Sequence, residues 1–390
     1  MIEGWHRTEL GNHVDLVTGF PFSSSGYTES TDHIRLLRGD NIIPGAIRWD
    51  GVKRWIKESA AGLEAFFLAD GDLVIGMDRT WVNSGLKIAR IRVDDLPCLL
   101  VQRVARLRAI DNLDQDFMAQ CVSSHSFEQY VKGNQTETAV PHISSQQIRD
   151  FPIHLPPLPE QHKIAEILRT WDVAIEKLDT ISVKMQQEVG AICQRVFELD
   201  YGAGGSLLRA RGMFEPVSER ARPDLPLLAV MQDIGIVRRD ELDRRVAMPD
   251  GDTSTYKVVR PGNFVVSLRS FEGGLEFSDV LGLVSPAYTV LRSTHAIHAP
   301  YYRHFFKSRS FIGRLDKMIY GIRDGKQIAF RDFGDMFIPH PHIEDQRKRE
   351  KALSAVTQLA DANKRKRQAL ERQKRALMQK LLTGEWRVNC

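Results

Sequence analysis

The stretch Phe151–Leu168, FPIHLPPLPEQHKIAEIL, decides the fold. A proline-rich segment gives way at Pro159-Glu160 to apolar residues at helical spacing. Proline suits a first helical turn and a carboxylate suits its positive end. From Ile164 the positions Leu168, Trp171, Ile175, Leu178, Ser182, Met185, Val189, Ile192 and Val196 alternate steps of four and three. That is a heptad seam with one polar member, Ser182. The glycines of YGAGG, 201–205, are expected to stop the helix.

A weaker copy returns from Phe337 as FIPHPHIEDQRKREKAL. Laying 141–163 over 326–348 matches Ile143 with Ile328, Asp150 with Asp335, Ile153 with Ile338, Pro156 with Pro341, Gln161 with Gln346 and Lys163 with Lys348. Upstream, SHSF (124–127) matches SRSF (308–311), and LADGDLVIGMDR (68–79) resembles VRPGNFVVSLRS (259–270). The order of matches is kept and the shifts nearly agree, so one internal duplication of about 185 residues accounts for them. The same shift predicts a second seam at Leu353, Val356, Ala360, Asn363, Arg367, Leu370, Lys374, Leu377 and Leu381. Its polar members fix register at some loss of stability.

Each copy opens on a globular part. GDLVIGM and GNFVVSL read as strands after turns, and LKIARIRV alternates as a half-buried strand does. DQDFMAQCVSSHSFEQYV and APYYRHFFKSRSFIGRL have helical spacing. The expected fold is therefore mixed α/β (α+β). Two globular domains, 1–157 and 201–342, are joined by two long helices, 158–200 and 343–390, that form an antiparallel coiled coil in an internal pseudo-twofold duplication. The alternative is two unrelated amphipathic helices, each packed on its own domain.

Composition narrows the function. Four cysteines are scattered without C-x-x-C spacing, which argues against disulfide frameworks and paired-cysteine zinc sites. No apolar run approaches a membrane span of about 18 residues, and MIEGWHRTEL lacks a signal-peptide pattern. A cytoplasmic protein is expected. Net charge is +4, but residues 343–390 carry 13 Lys+Arg against 6 Asp+Glu. There is no G-x-x-x-x-G-K-[ST] loop, G-x-G-x-x-G fingerprint or G-x-S-x-G elbow. The one Pro-Pro pair, Pro156-Pro157, sits between leucines, unlike an amino-methyltransferase motif. The histidines of HAIHA (His295, His298) and HPH (His340, His342) lack a third metal ligand, and PDGD (249–252), whose Asp250 and Asp252 resemble a nuclease fragment, reads more readily as a loop-forming turn than as a metal site.

What remains is a surface able to read something. Four loops join turn residues to planar or aromatic side chains: 76–87, 133–138, 267–278 and 320–327. The first pairs with the third by position, and the second with the fourth. Arginine suits guanine, Asn or Gln suits adenine, and aromatics stack. The candidate DNA-binding residues are Arg38, Arg79, Trp81, Asn83, Lys87, Asn134, Gln135, Arg269, Ser270, Arg323, Lys326 and Gln327.

Through GNQTETAVPHISSQQIRDFPIHLPPLPEQHKIAEILRTWDVAIEKLD and RALMQKLLTGEWRV (375–388), the chain resembles the specificity subunits of type I restriction-modification enzymes. HIEDQRK departs from the family's Leu-Pro-Glu-Gln form, which blurs the start of the second helix. The resemblance implies two target recognition domains reading halves of an asymmetric site in double-stranded DNA, with the helix pair setting the gap. It also implies two docked adenine-methyltransferase (modification) subunits carrying S-adenosylmethionine, a restriction and motor subunit, and no cofactor or catalysis in this chain. The rival classes are a coiled-coil protein-binding scaffold and a stand-alone nuclease or methyltransferase. Salt-sensitive, sequence-selective DNA binding that needs a methyltransferase partner separates the three.

Overall fold

A computed structural model describes residues 4–82, 85–135, 141–202, 206–232, 235–242, 253–266, 274–319 and 330–389. The chain divides into two units, residues 1–177 with 366–390 and residues 178–365. Each takes part of both long helices, Leu158–Gly202 and Ile343–Leu382.

The first unit is built on an antiparallel sheet in the order Ile88–Arg90, Leu73–Gly76, Val104–Ala109, Val14–Thr18. The second unit repeats it as Leu275–Phe277, Phe264–Val266, Thr289–Ser293, Phe214–Val217. The paired turns are alike in detail. Gly71 and Gly262 take φ of 84° and 88°, a region open to glycine. Next to them, Asp72 and Asn263 accept from the N–H groups of Ala69 (2.8 Å) and Arg260 (2.9 Å).

Two helices cover each sheet. Gln115–Val122 and Ala299–Phe306 have eight residues each and start 184 apart, at 115 and 299. Their inward residues are Phe117, Met118, Cys121 and Val122 in one, and Tyr301, Tyr302, Phe305 and Phe306 in the other, all buried. The helical stretches read from sequence break in both units at a serine, because Ser124 and Ser308 cap the next helix. Their hydroxyls accept from the N–H of Phe127 and Phe311, each at 3.2 Å. The hinge then adds a strand to the start of its own copy: Pro152–Leu155 pairs with His6–Glu9, and Phe337–Pro339 with Leu207–Arg209.

The long helices run antiparallel within each unit. In the first, Glu160 meets Arg387 at 2.7 Å and Asp172 meets Lys374 at 2.5 Å. In the second, Ser182 accepts from Asn363 at 2.6 Å, and Asp200 pairs with Arg349. Ile164, Leu168, Leu178, Leu353 and Leu381 are buried, and Trp171, Ile175, Met185, Val189, Val356, Leu370 and Leu377 are half-buried.

Ile192 departs from the expected seam and is 39% exposed. The inward face there has moved to Cys193, Val196 and Phe197, which pack on the second unit's core. A helix of 3.6 residues per turn drifts about 20° per heptad, and here it follows the domain. The same packing carries the first helix past its expected stop. Tyr201 lies against Phe305, with its ring under the Arg314 guanidinium at 3.8 Å.

Candidate nucleic-acid interface

In the first unit the strand Leu73–Gly76 delivers a tight turn. Arg79 adopts a φ of 47° there, unusual for a branched-free but bulky side chain. Its N–H donates to the Pro141 carbonyl at 2.6 Å, and the buried Thr80 hydroxyl donates to the Met77 carbonyl at 3.0 Å. Trp81–Val82 pairs with Gly85–Leu86, which returns the chain to Lys87. The Lys87 backbone is bound on both sides, its N–H to Thr80 and its carbonyl to the Gly76 N–H.

Lys87 is the centre of this cluster. Its Nζ donates to the Asp78 carbonyl at 3.3 Å and lies beside Gly39. Burial pulls its pKa below the ordinary lysine value, Arg79 pulls the same way, and Asp40 and Asp78 oppose them. Arg38 arrives on a separate turn. The Asn41 side chain shapes that turn by accepting the Arg38 N–H at 3.0 Å, and the Arg38 guanidinium pairs with Asp40 at 3.0 Å.

The segment 141–143, beyond the second loop, also meets the first loop at two further points. Ile143 donates to Met77 at 3.0 Å, and His142 bridges to Asp78. From the helix His125–Asn134, Lys132 sets its ammonium 4.0 Å from the Trp81 ring centre. Asn134 ends that helix, exposed, its side chain donating to the Tyr130 carbonyl at 2.8 Å. Gln135 caps it.

Of the residues expected from sequence, Arg38, Arg79 and Lys87 thus share one electrostatic cluster, and Trp81 is tied through Lys132 to the helix of Asn134 and Gln135. Asn83, Arg269, Ser270, Arg323, Lys326 and Gln327 lie outside the described residues. Sequence reading missed Asp40, Asp78 and Lys132. Lys132 lies 51 residues from Trp81 (81 to 132), and no local pattern joins them. The combined chemistry is two guanidinium groups, ammoniums, an indole face and amides, with carboxylates that orient the cations. Such a set suits contacts to base edges and phosphates.

The second unit differs at the matching place. Gly274 precedes the strand Leu275–Phe277 as Lys87 precedes Ile88–Arg90. A side-chain carbon on Gly274 would sit 1.8 Å from the Phe306 carbonyl. Its neighbour Glu276 is buried and pairs with Lys307. His295 and His340 stack edge to face at 5.9 Å, while His298 faces Glu350 at 3.4 Å. Among the described residues no three His, Cys, Asp or Glu side chains gather as a metal set, and no helix is long and apolar enough to cross a membrane.

Residues 34–185 match the type I restriction modification DNA specificity domain. The specificity subunit of the type I restriction enzyme EcoAI from Escherichia coli is 34% identical over 163 residues, 42% of this chain and 27% of that protein. The MjaVIII specificity subunit from Methanocaldococcus jannaschii is 28% identical over 175 residues, 45% of this chain and 41% of that one. The matched stretches thus span less than half of either relative. The fold is similar to that of a type I restriction-modification S subunit from M. genitalium, with TM-score 0.57 at 14% identity over 97% of this chain and 96% of that one. It is also similar to a chain from work on complex assembly and conformational transition of the type I R-M system, with TM-score 0.59 at 17% identity over 97% and 98%.

Proposed function

We propose that this chain, whose residues 34–185 match the type I restriction modification DNA specificity domain, is the DNA sequence-specificity subunit of a type I restriction-modification complex. It reads a bipartite, asymmetric site in double-stranded DNA. Residues 1–157 and 201–342 act as the two target recognition domains, and 158–200 and 343–390 as spacer helices that set the gap. Arg38, Arg79, Trp81, Asn83, Lys87, Asn134 and Gln135 face one half-site. Arg269, Ser270, Arg323, Lys326 and Gln327 face the other.

The observation that carries this reading is the repetition of one sheet order and one helix pair in both units. A single reader needs one such domain, whereas a split target needs two. The contrast between Lys87 and Gly274 supports unlike half-sites. Chemistry falls to partners in the cytoplasm: two modification subunits that hold S-adenosylmethionine and methylate adenine, joined by a restriction and motor subunit. This chain itself holds no cofactor and performs no catalysis.

The test is a methylation map of DNA from cells carrying this gene with its neighbouring methyltransferase, against cells lacking this gene alone. Loss of one split, asymmetric adenine-methylated motif supports the role. An unchanged map with the protein expressed rejects it.

A further inference from the structure

The two units differ at one packed junction, where the end of a long helix meets the helix pair of the domain. In the second unit that junction is full. Phe197 packs on Phe305 with ring centres 5.4 Å apart, and Tyr201 closes over Phe305 at 6.1 Å. The Tyr201 hydroxyl donates to the Phe337 carbonyl at 3.3 Å. Burial pushes its pKa up to about 12.

The duplication names the counterparts in the first unit. Cys121 stands for Phe305 (a shift of 184), Leu382 for Phe197 and Trp386 for Tyr201 (shifts of 185). Two aromatic rings have become a thiol and an isobutyl group. The second long helix also ends at Leu382, whereas the first continues to Gly202. Trp386 is 51% exposed and sits under the Lys380 ammonium at 4.4 Å instead of turning inward. What is left is an open cavity of about 380 Å³ floored by Cys121, Met378 and Leu382.

Its rim is basic. Arg7 and Arg375 line it, and no carboxylate does. Neither arginine has an ion pair among the described residues. An apolar floor without the Tyr201 ring its sister site holds, flanked by the Tyr130 and Phe151 rings and with Arg7 and Arg375 at its edge, fits an aromatic side chain carried on an acidic segment.

We propose that this cavity is a docking site for a partner polypeptide, which inserts an aromatic residue flanked by Asp or Glu. The occupant reproduces in trans what Tyr201 does in cis. This inference is independent of DNA reading.

The experiment uses the full chain carrying 13C in the methyl groups of its 10 methionines, with the Met378 signal assigned through Met378→Leu. The probes are acetyl-Asp-Glu-Tyr-Glu-Asp-amide and the same peptide with Ala for Tyr. A saturable ring-current shift of the Met378 methyl with the Tyr peptide alone is expected. Leu382→Phe, which restores the sister residue, should abolish it, and Arg375→Glu should weaken it. Should Leu382→Phe fail to fold, Cys121→Phe fills the same space. No shift with the Tyr peptide, or a shift that survives the filled cavity, overturns the proposal. So does a Met378 signal that moves on Trp386→Ala without peptide, since the chain's own indole would then be the occupant.

Discussion

Gln161 and Gln346 hold the same post in the two units. Each side chain is fully buried one turn into a long helix. The Gln161 amide donates to the Pro156 carbonyl at 2.8 Å, and its oxygen accepts the Asp114 N–H at 2.8 Å. The Gln346 amide donates to Pro341 at 2.8 Å, and its oxygen accepts the His298 N–H at 2.8 Å. Asp114 and His298 are the residues at the N-terminus of the first covering helix in their units. One buried amide thus fastens hinge, long helix and covering helix together, which is why the glutamine recurs in both hinges while Glu160 and His162 on either side of it do not.

Replacing either glutamine by Leu should therefore destabilise its own unit. A buried donor or acceptor left unmade costs roughly 1–3 kcal/mol. Gln161→Leu should speed hydrogen exchange at the Asp114 amide and leave His298 protected, and Gln346→Leu should do the reverse. Equal loss of protection in both units would contradict a local clasp.

Glu160 accepts from the Trp5 indole at 2.9 Å, from Arg387 at 2.7 and 2.9 Å, and from the Val388 backbone. Burial alone would raise its carboxyl, but the bonds from Arg387 and Trp5 outweigh that and hold it below the ordinary 4.5. The folded pKa is the lower one, so the stabilisation is full above the unfolded value and fades as pH falls through the folded one. Glu160→Gln should cost about 2 kcal/mol at neutral pH. That difference from wild type should shrink below about pH 4.5 in denaturant titrations. A difference constant with pH would mean the ion pair contributes nothing.

Asn363 sits on the seam of the second helix, its amide donating to the Ser182 hydroxyl at 2.6 Å and the Leu178 carbonyl at 3.2 Å. Buried polar pairs at such positions fix register at a loss in stability. The double change Ser182→Ala with Asn363→Leu should raise unfolding stability by about 1 kcal/mol, within the range seen when polar pairs give way to apolar packing. It should also loosen alignment, read as faster disulfide formation between cysteines placed one heptad out of register. A double variant that is less stable would show the pair to be a net stabiliser.

The sequence carried much of this because its signals were local or repeated. Gly71 with Asp72 and Gly262 with Asn263 mark strand starts by turn chemistry alone, and the steps from Ile164 to Leu178 mark a packed helix face. The features that escaped it are non-local. The parallel pairing of Ile34–Leu37 with Cys98–Leu100 joins segments too far apart for periodicity to connect. Lys132 meets Trp81 only through the fold. Ile192 kept its heptad position but lies exposed, because the helix there answers to the domain it packs on. At the candidate interface the residue types were readable, but the carboxylates that orient them, Asp40 and Asp78, were not.

The cluster around Lys87 makes the sharpest test of the proposed reading. Arg38 is oriented by Asp40, and the Lys87 ammonium is held by the Asp78 carbonyl and feels the charge of Asp40, so the geometry is preset before any ligand arrives. A bidentate base contact is worth about 1–3 kcal/mol of discrimination. Arg38→Ala should therefore relax one half-site by roughly that amount and leave the other half-site unchanged in a binding-site selection. A phosphate contact would instead weaken all sequences alike and lower the salt slope by about one. Lys87 adds a pH signature. Its pKa is lowered, so as pH rises it loses its charge before an exposed lysine would, and binding should fall with it. Lys87→Arg, which keeps its charge, should hold affinity at alkaline pH. If wild type and Lys87→Arg lose affinity in parallel, Lys87 does not face the DNA.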